Sequence, residues 1–141
     1  MTELYNKGKP TLAYMCYPYS SDPMGNTKKA RVLAASIMDK HPNVFIILPH
    51  TAVDMTLFGE FHERASKHSV EDHERAENCE YVILSKIDLF IIGTDYDDMT
   101  SGMTWEHTFV KKLNRERRRQ IDIKYASELL GVITYEHQRN G

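Results

Sequence analysis

The chain has 141 residues, and its 18 Lys and Arg against 20 Asp and Glu leave a formal charge of −2, so no global field draws it to a nucleic-acid polymer or an anionic membrane. With 41% hydrophobic and 27% charged residues it reads as a single globular domain over 1–141, long enough to bury a core without staples. Cys16 and Cys79 lie too far apart for a metal or redox spacing. There is no apolar signal core, and no apolar run approaches the ~20 residues of a membrane span, so a soluble, cytoplasmic protein with reduced thiols is expected.

Taken in order, Thr11 to Tyr17 is the first buried strand candidate, and it ends in a loop dense in turn formers, Pro18 to Asn26. A helix is predicted from about Thr27 to Lys40, with Ala30, Val32, Leu33, Ala35, Ile37 and Met38 as a wide apolar stripe. His41-Pro42-Asn43 stops it, because the residue before proline disfavours the helical region. Val44 to Leu48 reads as a second strand ending at Pro49-His50, and Thr51 to Ser69 as a loop with a short helix. Ser69-Val-Glu-Asp72 has the form of a capping box that opens a helix running to about Lys86.

The stretch from Ile87 to Phe109 organises the rest. Asp88 to Gly93 is short, apolar and bounded by turn residues, as in a strand covered on both faces. A polar loop follows, and Thr100, Ser101 and Gly102 supply a cap and a tight turn before a helix that extends to about Arg119 and carries Glu106 in its first turn. Ile121 to Tyr125 alternates as a fourth strand does, and Glu128 to Gly141 reads as a short tail. Strands alternating with helices predict an α/β fold, a three-layer Rossmann-like sandwich with a mostly parallel sheet of four to five strands. In such sheets ligands bind beyond the carboxyl ends of the strands, which would bring Pro18–Asn26 and Thr94–Gly102 face to face.

A carboxylate at the start of a helix in that crevice reads as a chemical group, because helix N-termini usually meet the ligand's own anion. Glu80 is the candidate partner, on a spacing that favours the solvent stripe of its helix over burial near the cleft. Two carboxylates flanking a glycosidic bond are the usual means of breaking it, one attacking the anomeric carbon and one moving protons. The other polar clusters read as structural. Asp88 holds a loop amide, with ligand contact as the alternative. Asp95, Asp97 and Asp98 lack the glycine and distal glutamate of a calcium loop. His62, His68 and His73 form no metal-binding pattern. Tyr14 and Trp105 read as core or pocket wall, and the Arg115–Arg119 run as a solvated helix end.

Thr100-Ser-Gly-Met-Thr-Trp-Glu106 resembles the [Ser/Thr]-x-Gly-x-x-x-Glu signature of the nucleoside 2-deoxyribosyltransferase-like superfamily, which includes the 2′-deoxynucleoside 5′-monophosphate N-glycosidases. Leu12-Ala-Tyr14-Met-Cys-Tyr-Pro18-Tyr-Ser20 is similar to its opening Tyr-x-x-x-Pro-Tyr-Ser segment, and the run from Glu80 through Asp88 to Gly93 resembles its helix-to-strand segment. The three matches fall in the right order across most of residues 11–112. The resemblance implies Glu106 as the nucleophile on C1′ and Tyr14 beside it. It implies Thr100, Ser101 and Gly102 around a 5′-phosphate or 5′-hydroxyl, and the Tyr17-Pro18-Tyr19-Ser20 loop at the substrate. His50 would line the base pocket. It also implies no cofactor, a nucleoside or nucleotide substrate, and a homodimer or larger homo-oligomer. Two departures stand out. Glu80 occupies the place of an aspartate, and the first loop lacks a phosphate arginine, for which Lys28, Lys29 or Arg31 would substitute. The expected activity is therefore cleavage or transfer of an N-glycosidic bond. A nucleotide-sensing module on the same scaffold is the alternative. A phosphoribohydrolase ranks last, since its Pro-Gly-Gly-x-Gly-Thr-x-x-Glu motif is absent.

Overall fold

A computed structural model of the chain describes residues 8–19, 21–49, 78, 80–116 and 120–131. Along them run β1 (Thr11–Cys16), α1 (Pro23–Lys40), β2 (Val44–Ile47), β3 (Leu89–Ile92), a 3-10 turn at Tyr96–Asp98, α2 (Ser101–Arg115), β4 (Asp122–Tyr125) and the short α3 (Ala126–Leu129). Residues 80–84 are also helical and turn directly into β3. The described strands form one sheet in the order β2-β1-β3-β4, every pair parallel. The α/β architecture expected from the alternation is the one found. No described helix is long and apolar enough to cross a membrane.

Period-two alternation sends successive strand residues to opposite faces of the sheet. Ala13, Met15, Leu89 and Ile91 face one way and pack with Ala30, Ala34 and Ile37 of α1 and Leu129 of α3. Tyr14, Cys16, Phe90 and Ile92 face the other way, against Met103, Val110 and Leu113 of α2 and Leu84 and Ile87. Each fully buried aliphatic or aromatic side chain contributes roughly 1.5–3 kcal/mol, so both faces are sources of stability. The α1 stripe that is buried is Asn26, Ala30, Ala34 and Ile37. Val32, expected within it, is 64% exposed.

Three boundaries differ from expectation for local reasons. Helix α1 begins at Pro23, four residues before Thr27, because the Asp22 side chain accepts the Gly25 amide at 3.2 Å and Pro23 sits in the first turn, where its missing N–H costs nothing. Helix α2 begins at Ser101, immediately behind the Thr100 cap, so Glu106 is its sixth residue and lies in the second turn rather than the first. Glu128 belongs to α3 rather than a tail, and its carboxylate accepts the Tyr125 amide at 3.0 Å. The His41 imidazole Nε2 lies 2.7 Å from the Leu129 carbonyl, and Lys40 Nζ donates to Leu130 at 2.8 Å, which fastens α3 to the end of α1. The Thr51–Ser69 segment, the Ser69–Asp72 capping box and the last ten residues lie outside the described residues.

The strand order decides where a ligand can bind. From β1 the chain moves outward to β2, and from β3 it moves outward the opposite way to β4, so a topological switch point opens between β1 and β3 at their carboxyl ends. Gly93 makes that junction close. Its amide donates to the Cys16 carbonyl at 3.0 Å, and a Cβ on it would stand 2.8 Å from that oxygen and 2.7 Å from the Tyr17 ring. Gly93→Ala is expected to destabilise the fold by about 1–3 kcal/mol, the usual cost of overpacking, read from the urea midpoint. A wild-type midpoint would mean that the strand ends yield freely.

Candidate active site

Helix α2 buries Met103, Glu106, Val110 and Leu113, spaced three, four and three residues apart along one face. Three of these are apolar core residues and the fourth is a carboxylate, only 6% exposed. A buried carboxylate is costly unless something meets it. Here the Tyr14 hydroxyl, from the centre of β1 and itself fully buried, donates to Glu106 Oε2. Burial first, and then the neighbouring charge of Glu80, push the Glu106 carboxyl up from 4.5 to about 8, while the Tyr14 hydrogen bond pulls it down. Burial, Glu106 and Glu80 together hold the Tyr14 phenol far above its ordinary value, so Tyr14 remains a donor at every working pH. Cys16 stands on the same face of β1, and burial together with the charge of Glu106 raises its thiol.

Glu80 therefore belongs to the site. It is half-buried in the helical residues 80–84, and its charge reaches both Glu106 and Tyr14. The solvent-stripe placement favoured by its spacing is corrected, because the turn after residue 84 sets this helix beside α2 on the same face of the sheet. The aromatic contact of Tyr81 with Trp105 and Phe109, ring centroids 4.9 and 4.5 Å apart, fixes the two helices to each other.

Thr100, Ser101 and Gly102 open α2. The Thr100 hydroxyl oxygen accepts the Met103 amide at 3.2 Å as the helix cap, and its proton stays available to a ligand. The first amides of a helix have no intrahelical acceptor and point outward with the positive end of the dipole. Among the described residues, a Cβ at Gly102 would meet only Thr100 Oγ1, at 3.9 Å. Gly102 and Glu106 are four residues apart and lie on one face, separated by a rise of about 6 Å.

No family model, curated protein or solved structure matches the chain. The site is thus read from its own geometry.

Of the residues expected at the substrate, Tyr14, Glu80 and Glu106 are brought together, with Thr100, Ser101 and Gly102 one turn of α2 away. Tyr17 and Pro18 stand half-buried at the end of β1, the Tyr17 ring against Gly93 and the α1-side core. Tyr19 is 40% exposed and lines a groove along α1. Asp88 is not at the site. It precedes β3 at the amino edge of the sheet, where its carboxylate accepts the Leu12 amide at 3.0 Å and its own amide donates to Leu12 at 2.8 Å. Parallel pairing puts this strand start a full strand length from the crevice, so Asp88 holds a backbone amide instead of a ligand. Ser20 and His50 lie outside the described residues. So do Cys79, His62, His68, His73 and Arg117–Arg119. Among the described residues no three His, Cys, Asp or Glu side chains are grouped as metal ligands.

Two neighbours escaped the sequence reading. Cys16 was legible only as a reduced thiol, although its even-numbered position in β1 places it on the face of Tyr14. His107 stacks on Phe90 with ring centroids 6.0 Å apart, and Phe90 stacks on Tyr14 at the same separation. Burial, then the charge of Lys111, lowers the His107 imidazole from 6.5, so it remains neutral near pH 7.

The raised Glu106 carboxyl has a consequence for stability. The folded state binds this proton more tightly than the unfolded chain does, so its contribution is complete below about pH 4.5 and is lost as pH rises through about 8. Glutamine does not titrate. The melting temperature of Glu106→Gln relative to wild type is expected to climb steadily from pH 5 to pH 9, measured by differential scanning calorimetry. An offset that stays constant across that window would mean the carboxyl titrates as if exposed.

Proposed function

We propose that the protein cleaves, or transfers, the N-glycosidic bond of a nucleoside or deoxynucleoside, or of its 5′-monophosphate, with Glu106 as the nucleophile. The observation that carries this reading is a carboxyl group in a core position of α2, hydrogen-bonded by Tyr14 and facing Glu80, one turn below a helix N-terminus at the switch point of a parallel sheet. The resemblance of Thr100–Glu106 and Leu12–Ser20 to the nucleoside 2-deoxyribosyltransferase-like superfamily supports the same reading, with its three-layer Rossmann-like sandwich. On this reading the protein is a cytoplasmic enzyme of nucleotide metabolism. It works as a homodimer or larger homo-oligomer and uses no cofactor.

In the first step an oxygen of ionised Glu106 bonds to C1′ as the C1′–N bond breaks. The bonding pair leaves with the base, which takes a proton from Glu80, and a glycosyl ester remains on Glu106. Positive charge gathers on the sugar as the bond stretches. A carboxylate fixed in a dry site stabilises that charge without reorganising, which is where catalytic power is greatest. The Tyr14 hydrogen bond favours the ionised form of Glu106, against burial and the charge of Glu80, and aims the attacking oxygen. In the second step water, activated by the now-ionised Glu80, or the nitrogen of a second base, displaces Glu106 from C1′. The Gly102-to-Glu106 face spans roughly one pentose with its exocyclic carbon, so a 5′-oxygen or phosphate meets the opening amides of α2 while C1′ meets the carboxylate.

The test is a panel of nucleosides and their monophosphates scored chromatographically for free base. Release is expected from at least one member and should fall by roughly 10³-fold or more in Glu106→Gln. Release that survives this substitution would overturn the assignment. The reacting pair must carry one proton, on Glu80 while Glu106 attacks, so kcat/KM should fall as pH rises through about 8, where that last proton is lost, and Tyr14→Phe, which removes the hydrogen bond that lowers the carboxyl, should move that fall to higher pH. A rate that keeps rising through this range would show that the bond breaks without a proton from the pair. One observation favours the sensing alternative: near pH 7 a carboxyl raised to about 8 is mostly protonated, and so donates a hydrogen bond to a ligand. Saturable nucleotide binding without base release at any pH would establish that reading.

A further inference from the structure

We propose that His107 is a positioning residue: through the ring of Phe90 it holds the Tyr14 phenol in the plane that aims its hydroxyl at Glu106. The role rests on the reading of Glu106 as the nucleophile, and adds to it a side chain that acts only through others.

Tyr14 and Phe90 are register partners on β1 and β3, and both point to the α2 face of the sheet. Their rings lie 10° from parallel with centroids 6.0 Å apart. The His107 imidazole lies 9° from parallel to Phe90 at the same separation, so the three rings share nearly one orientation. Offset, near-parallel rings at such spacings are a favoured aromatic arrangement. Tyr14 and Phe90 are fully buried and His107 is half-buried. Glu106 and His107 are consecutive, so their side chains diverge by about 100° around α2. The first accepts from the Tyr14 hydroxyl on β1, and the second meets the Phe90 ring on β3. A single turn of α2 thus touches both members of the register pair, one at its hydroxyl and the other at its ring. The hydrogen bond fixes where the phenol ends, and the stack fixes the plane from which it reaches.

Packing alone does not ask for histidine here. Burial, then the charge of Lys111 one turn on, lowers the proton affinity of the imidazole, so the position works against its charged form. Leucine would fill the space without that cost, but it has no flat face to set a neighbouring ring. The imidazole offers a flat face to Phe90 and a polar edge that a half-buried position leaves in reach of water. Glu80 and Tyr14 are the groups that face the Glu106 carboxyl, and Cys16 stands beside them on β1. His107 is neutral where Glu106 titrates, so its effect on the carboxyl runs through geometry instead of charge.

The test follows the Glu106 carboxyl itself in the full chain, by carbon-13 NMR of glutamate-labelled protein with the signal assigned through Glu106→Gln. His107→Leu keeps the bulk of the side chain and removes the flat face. It is expected to loosen the Tyr14 hydrogen bond, which favours the ionised form, and so to move the Glu106 midpoint above about 8 by roughly half a pH unit or more. His107→Phe restores a flat ring and should return the midpoint to that of the wild type. A role in packing alone predicts no change or the opposite one, because water admitted beside Glu106 relieves its burial and lowers the midpoint. A midpoint lowered or unmoved in His107→Leu, or raised equally in His107→Phe, would overturn the role. In the wild type, through-space proton contacts are expected from His107 to Phe90 and from Phe90 to Tyr14, and their absence would overturn it without any variant. None of these readouts needs a substrate. A raised midpoint in a protein that releases no base would support the positioning role and sink the glycosidase reading, and base release with an unmoved midpoint would do the reverse.

Discussion

The interaction on which the rest of the structure depends is the hydrogen bond from Tyr14 to Glu106. It joins the centre of β1 to the second turn of α2, across an otherwise apolar interface of Cys16, Phe90, Ile92, Met103 and Val110. Leucine in place of Glu106 would complete the α2 stripe and remove a desolvated acid from the core. A chain that keeps the acid there accepts an unfavourable group at a position where packing alone would exclude it, and such local violations concentrate where chemistry is done. The second acid sharpens the point. Glu80 makes the burial of Glu106 less favourable rather than more, so the pair is a poor stabilising device.

The sheet order is what the proposed ligand crevice beside the pair rests on. With β1 and β3 as central neighbours and their connections leaving in opposite directions, the loops after both strands part above the junction. Gly93 keeps the junction shallow by letting the Cys16 carbonyl and the Tyr17 ring close over the end of β3. At the other edge of the sheet, Asp88 ties the start of β3 to Leu12, and its carbonyl accepts the Asp122 amide at 3.1 Å, so one residue holds three strands in register. The amino edge is fastened and the carboxyl edge is left open. This division of labour separates the acids: Glu106 and Glu80 serve the open edge, and Asp88 the fastened one.

Charge is distributed to match. The acids of the site stand on the α2 face, and the cations Lys28 and Arg31 stand on the flank of α1, on the opposite side of the sheet. A near-neutral net charge thus conceals two local fields of opposite sign. Net charge alone reports the lack of a global field, and it does not report this local separation of charge.

The sequence by itself determined the α/β class, the parallel strands, the cap at Thr100 and the singular place of Glu106. These rest on local chemistry: period-two and period-3.6 apolar patterns, turn formers, and capping side chains that act within four residues. It also contained two signals that the reading passed over, the Asp22-Pro23 pair that starts α1 early and the three-four-three spacing that puts Glu106 in the buried stripe. Tertiary structure alone decided which acids meet. Glu80 and Asp88 are eight residues apart and spacing favoured a place outside the site for both, yet one is carried to the face of α2 and the other to the far edge of the sheet. That choice depends on how helix and strand pack after residue 84, a long-range matter of buried area that no local pattern encodes. The elevated proton affinity of Glu106 follows for the same reason, since desolvation exists only once both strands and both helices have closed around it.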